Sequence, residues 1–104
     1  MTPLPKKPTL AAFRAWLEAQ PEGSIVGYAQ EERACPIARF IGSSADYRVW
    51  VTDHWIFIQE GGRRGHQWKQ PRWATLFVDK VDNYESGRPI TREEALAALR
   101  EATR

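Results

Sequence analysis

Cys35, the single cysteine of the chain, is the first candidate for chemistry, because a thiolate is a strong nucleophile. It stands directly before Pro36 at the predicted start of a short helix, where unpaired backbone N–H groups favour the thiolate. Folding could bring His54 or His66 near it as a base. No local signature accompanies this cysteine, however, and free cysteines are mostly small buried side chains. We therefore predict a structural Cys35 and no catalytic residue, and a cysteine-dependent enzyme is the alternative.

Metal and cofactor sites have little support in the sequence. Cys35 and the two histidines are far apart and show no paired ligand spacing such as C-x-x-C or H-x-x-x-H. Asp79, Asp82 and Glu85 fall along one side of a predicted helix and could hold a hard cation, but such carboxylates usually form a solvated face. The chain has no P-loop, no G-x-G-x-x-G and no G-x-S-x-G motif. We predict neither a metal nor a cofactor.

The segment 48–73 carries the strongest binding signal, because it holds four of the five tryptophans interleaved with basic residues. No acidic residue occurs from Gly61 to Val78. Basic and aromatic side chains together can hold phosphates and stack on bases, or can anchor a protein partner. The predicted partner-binding residues are Arg48, Trp50, Arg63, Arg64, His66, Trp68, Lys69 and Arg72.

Each tryptophan of this segment also has a structural interpretation. Trp50 and Trp55 could face each other across a hairpin as a cross-strand pair. Arg48 shares a strand face with Trp50, so a cation–π contact without any function is possible. Trp68 could either be accessible or fold back over the following helix, whereas Trp73 belongs to the apolar stripe of that helix.

The amino-acid composition and charge limit the kind of partner and the cellular compartment that we predict. The 104 residues are 42% hydrophobic and 27% charged, which is the usual balance of a soluble domain. The net charge of only +2 favours a larger protein as the partner, with nucleic acid as the alternative and a homodimer possible. The lone cysteine, the lack of a signal-peptide hydrophobic run and the lack of a long apolar stretch predict a cytoplasmic protein without membrane contact.

Three short stretches resemble parts of uncharacterised small bacterial, phage and plasmid-borne proteins. They are residues 13–17 (FRAWL), residues 35–40 (CPIARF) and residues 90–96 (ITREEAL). The resemblance implies a phage or mobile-element origin and no known catalytic residue. In that setting small proteins often act as inhibitors or accessory binders of a larger host or phage protein, which is the function expected here.

Four segments of the chain carry sequence signals for helices. Thr9 is a good N-cap for an apolar stripe that ends before Pro21, and residues 36–41 form a second short helix between a favoured first proline and Gly42. A third amphipathic helix is predicted from Pro71 to Tyr84. A fourth begins at Thr91, whose spacing to Glu94 is that of a capping box.

Strand signals are concentrated in the middle of the chain. Residues 25–28 form a possible short strand, and residues 47–52 and 55–58 predict an antiparallel hairpin. Residues 61–70 are predicted to be a flexible loop because of their glycines. The expected fold is a single α+β domain at 9–104, a hairpin or three-stranded sheet packed against about four helices, after a proline-rich arm at 1–8.

Overall fold

The computed structural model describes residues 8–42, 47–52, 54–60 and 65–104. Within these ranges the chain forms a compact α+β fold. Its helices are α1 (Leu10–Ala19), α2 (Pro36–Gly42), α3 (Arg72–Val81) and α4 (Arg92–Ala102). Its strands are β1 (Ile25–Tyr28), β2 (Tyr47–Val51), β3 (Trp55–Glu60), β4 (His66–Lys69) and β5 (Pro89–Thr91).

The strands form two small antiparallel sheets. One sheet pairs β1 with β5, and the other has the order β2-β3-β4. In the larger sheet Val51 lies opposite Ile56, and Phe57 lies opposite Gln67. The predicted α+β class and the predicted hairpin are confirmed.

Helix ends follow the predicted capping chemistry. The Thr9 side chain accepts a hydrogen bond from the backbone N–H of Ala12, and α1 starts at the next residue, Leu10. Thr91 and Glu94 form the reciprocal capping box at the start of α4. Such caps satisfy the backbone N–H groups that the first helical turn leaves without a partner.

The third helix is shorter than predicted. It runs from Arg72 to Val81, so Pro71 is its N-cap and Tyr84 lies beyond its end. The residues after Val81 leave the helix in turns, and the side chain of Gln30 donates hydrogen bonds to the carbonyls of Asp82 and Tyr84. These backbone carbonyls are bonded to a distant side chain rather than to another helical turn.

A cluster of aromatic rings packs α1 against α3, within a core that also includes buried residues of the larger sheet. Phe13 of α1 lies at its centre and is fully buried. Its ring is 5.1 Å from that of Phe77, in an edge-on arrangement, and 5.6 Å from that of Trp73. Aromatic pairs with this separation add stabilisation beyond the burial of their area. The apolar stripe predicted for α3 is confirmed, since Phe77 and Val81 are fully buried.

The prediction of a loop at 61–70 is wrong for residues 66–69, because these residues form the strand β4. Only Trp68 of this strand packs against the core, while His66, Gln67 and Lys69 are exposed. A short edge strand with one apolar residue has no alternating pattern that a sequence could reveal. Residues 61–64, including Arg63 and Arg64, lie outside the described residues.

A membrane-crossing helix is not found, because no helix in the described part of the chain is long and apolar enough to span a bilayer.

Candidate functional site

Side-chain alternation gives the larger sheet two distinct faces. Val49, Val51, Ile56 and Ile58 are buried and point toward the core. The residues between them point away from it, because successive side chains of a strand project to opposite sides. We call this opposite side the outer face. It consists of Arg48, Trp50, Trp55, Phe57, Gln59, Gln67 and Lys69.

Three aromatic side chains lie on the outer face. Trp50 lies directly opposite Phe57 and both are half-buried. Trp55 is 39% exposed and lies opposite Lys69. Trp55 and Phe57 are two residues apart on one strand, which corresponds to about 6.6 Å along β3. The outer face therefore presents aromatic rings on two neighbouring strands.

The expected pairing of Trp50 with Trp55 across the hairpin is wrong. The backbone N–H of Thr52 donates to the carbonyl of Trp55, so Trp55 lies opposite position 52 and Trp50 is shifted to Phe57. The register of a hairpin is set by its turn, which the sequence did not define to a single residue.

A cation stacks on Trp50, and it comes from outside the sheet. The guanidinium carbon of Arg33 is 4.9 Å from the centre of the Trp50 ring. The segment that carries Arg33 is fixed to β2, because the backbone N–H of Val51 donates to the carbonyl of Glu32 at 2.8 Å. From the sequence, a cation was expected near Trp50, but at Arg48. Arg33 was not identified because it is far from β2 in the sequence.

The described charged side chains of the outer face are both cationic. Arg48 and Lys69 are exposed at its two ends, on β2 and β4. Arg33 and the exposed His54 add basic groups at its border. This local charge matters more than the total, because the net charge of the chain is only +2.

Gln70 fixes the turn of the hairpin to α3. Its buried side chain donates hydrogen bonds to the carbonyls of Thr52 and Trp55 and accepts one from the Thr75 hydroxyl. Its backbone N–H donates to the carbonyl of His54 at 2.8 Å. These bonds hold the end of the sheet that carries Trp55 against the helix, so the exposed ring stands on a rigid support.

Several predicted site residues lie elsewhere. Trp68 is opposite Ile56, on the inner side of the sheet, and packs against the core, which favours its structural interpretation. His66 is exposed at the start of β4, on the same side as Ile58. Arg72 is exposed as the first residue of α3. Of the predicted set, Arg48, Trp50 and Lys69 share the outer face.

The environment of Cys35 favours a structural role. Its side chain is only 5% exposed, and burial raises the pKa of the thiol from 9.0 to about 11. Backbone hydrogen bonds from Ala38 and Ile37 act in the opposite direction but are outweighed. The helix start favours the thiolate as expected, but burial outweighs it and leaves the thiol protonated, and a protonated thiol is a poor nucleophile.

A cavity of about 400 Å³ lies beside Cys35 and is lined by Glu31, Glu32 and Asp82. Its carboxylates would oppose an anionic ligand. In the described part of the chain no group of three or more histidine, cysteine, aspartate or glutamate residues is arranged to hold a metal ion.

No protein-family model, no curated protein and no solved structure matches this chain.

Proposed function

We propose that this protein is a non-catalytic binding protein that holds single-stranded nucleic acid on its outer face. The observation that supports this most directly is the group formed by Trp50, Trp55 and Phe57 on a sheet face whose described charged side chains are cationic. Aromatic rings on a sheet stack on unpaired bases, and lysine and arginine at the border neutralise phosphates.

Single strands fit this surface better than a duplex. The bases of a duplex are stacked on each other, so their flat sides are not accessible to a protein ring. In the described part of the chain, the aromatic residues of the outer face lie within the strands β2 and β3 and not on a helix that could enter a groove. Stacking on exposed Trp55 requires a base that is already unpaired.

A larger protein is the second candidate partner, as the near-neutral net charge favours it. An exposed tryptophan such as Trp55 is a frequent anchor in protein interfaces. The salt dependence of binding distinguishes the two candidates, because an electrostatic contact with a nucleic acid responds to salt far more than an apolar contact does.

Fluorescence anisotropy with labelled DNA and RNA oligonucleotides tests the proposal. We expect single strands to bind, duplexes of the same length to bind more weakly, and Trp55→Ala to lose roughly five- to 150-fold in affinity. Because Trp55 is 39% exposed, this variant should still fold, and its melting temperature is measured alongside to separate a lost contact from a lost fold.

Charge variants provide the matched control. Lys69→Glu should weaken binding, whereas Lys80→Glu, which changes the same charge on exposed α3 surface, should not. Failure of the wild type to bind any single strand would refute the proposal. Recovery of one defined protein from the native host, in a manner that depends on Trp55, would then support the second candidate.

A further inference from the structure

One cavity opens on the outer face, beside the aromatic pair of β2 and β3. Its volume is about 410 Å³, and it is lined by Trp50, Phe57, Gln59 and Gln67 of the outer face together with Ile58, Gly65 and His66. Binding cavities for small molecules are about 300–1,000 Å³ in volume and combine apolar walls with a few polar groups. This cavity therefore has the size and the composition of a binding subsite.

The pairing of the strands places the Phe57 ring next to the side-chain amides of two glutamines, Gln59 and Gln67. Phe57 lies at the centre of the sheet, with Trp50 opposite it on β2 and Gln67 opposite it on β4. Gln59 follows Phe57 on the same face of β3, because side chains two residues apart share a side. A flat ring resting on Phe57 would have its edges near Gln67 on the neighbouring strand and near Gln59 on the same strand.

In the part of the chain that the structure describes, the two amides are available to bind a ligand. Within the described residues neither Gln59 nor Gln67 has a hydrogen-bond partner for its side chain, in contrast to Gln30 and Gln70, which are both bonded to backbone carbonyls. An amide side chain offers a donor and an acceptor side by side, and the edges of nucleobases present the complementary pattern.

We infer that this cavity is a subsite for one unpaired nucleobase, which stacks on the aromatic pair and is selected by hydrogen bonds to Gln59 and Gln67. This inference rests on the proposed function and adds base selectivity to it. Trp55 and the basic residues of the face contact neighbouring nucleotides without selecting them, since every base has a flat side and every nucleotide has a phosphate.

The experiment compares homopolymeric single strands of equal length made of adenine, cytosine, uracil or thymine nucleotides. We expect the wild type to prefer one base by roughly fivefold or more, the discrimination that a pair of good hydrogen bonds to a base edge gives. Gln59→Leu and Gln67→Leu should reduce that preference while leaving the affinity for the other homopolymers nearly unchanged. Trp50→Ala should weaken all of them.

Nuclear magnetic resonance supplies a readout that does not depend on strand affinity. The side-chain amide signals of Gln59 and Gln67 should shift when the mononucleotide of the preferred base is added, and the buried amide of Gln70 should not. Equal binding of all homopolymers, or a preference that survives both glutamine substitutions, would overturn the base subsite and leave the proposed function intact. Absence of binding to every homopolymer would overturn both.

Discussion

At Cys35, two physical effects act in opposite directions on one thiol. The start of α2 supplies backbone hydrogen bonds that stabilise a thiolate, while burial removes the water that a thiolate needs. Burial is the larger effect and keeps the thiol protonated. This side chain therefore behaves as a small apolar residue that fills space between helix and sheet.

The raised pKa of Cys35 predicts a loss of stability at high pH. The folded protein holds this proton up to a pKa of about 11, whereas the unfolded chain releases it near 9.0. The stabilisation is complete below pH 9 and is lost as the pH rises toward 11. By linkage, the loss is on the order of 2–3 kcal/mol. Urea unfolding at pH 9 and at pH 11 measures this loss of stability.

The control for this titration is Cys35→Ala, which removes the thiol but leaves every other titrating group. The wild type should lose more stability than this variant between pH 9 and pH 11. Parallel pH profiles for the two proteins would show that the thiol has the same pKa in the folded and the unfolded state.

Gln70 illustrates how a buried polar side chain positions a surface. Replacing it by leucine should cost about 1–3 kcal/mol, because the part-buried carbonyl of Thr52 would lose its side-chain donor and the Trp55 carbonyl would keep only its donors from Thr52. Thermal or urea unfolding measures the effect. The same substitution at exposed Gln67 should change stability by no more than about 0.5 kcal/mol, and equal effects at both positions would contradict the role assigned to Gln70.

At the level of elements, α3 supplies the central packing surface of the core. Phe77→Ala should destabilise the protein by about 3–5 kcal/mol, since the ring is fully buried and contacts Phe13 edge-on. Lys80→Ala, on the exposed side of the same helix, is the control and should have little effect. A melting temperature that is unchanged in Phe77→Ala would mean that the packing of α3 is misassigned.

Elements with strong local signals were predictable from the sequence. The caps at Thr9 and Thr91, the alternation in residues 47–52 and the apolar run at 55–58 depend on neighbours in the chain. The structure has helices and strands at these places. The strands β4 and β5 were missed, because each has three or four residues and is defined by its pairing with β3 or β1. Pairing between distant segments leaves no periodic pattern in the sequence.

The candidate site was predictable only in part for the same reason. Arg48, Trp50 and Lys69 were named from their residue types, and the sheet brings them to one face. Gln59 and Gln67 gave no signal, because an isolated glutamine becomes informative only when the register places it beside an aromatic cavity. Arg33 became part of the site through a backbone hydrogen bond between Glu32 and Val51.

For the whole molecule, the position of charge matters more than its sum. A chain with a net charge of +2 has too weak an overall field to attract a polyanion from a distance, so affinity must come from contacts on the outer face. Two variants with the same net charge, but with the substitution at different positions, can separate the effect of the overall charge from that of contacts on the outer face.

Salt titration of Lys69→Glu and Lys80→Glu makes this comparison. Binding of single strands should weaken linearly with the logarithm of salt concentration, because each phosphate contact releases a counterion. Lys69→Glu should reduce the slope by about one contact, while Lys80→Glu should keep the slope of the wild type, although both variants have the same net charge. If both substitutions change the slope equally, the nucleic acid responds to the overall charge and the outer face is not its binding site.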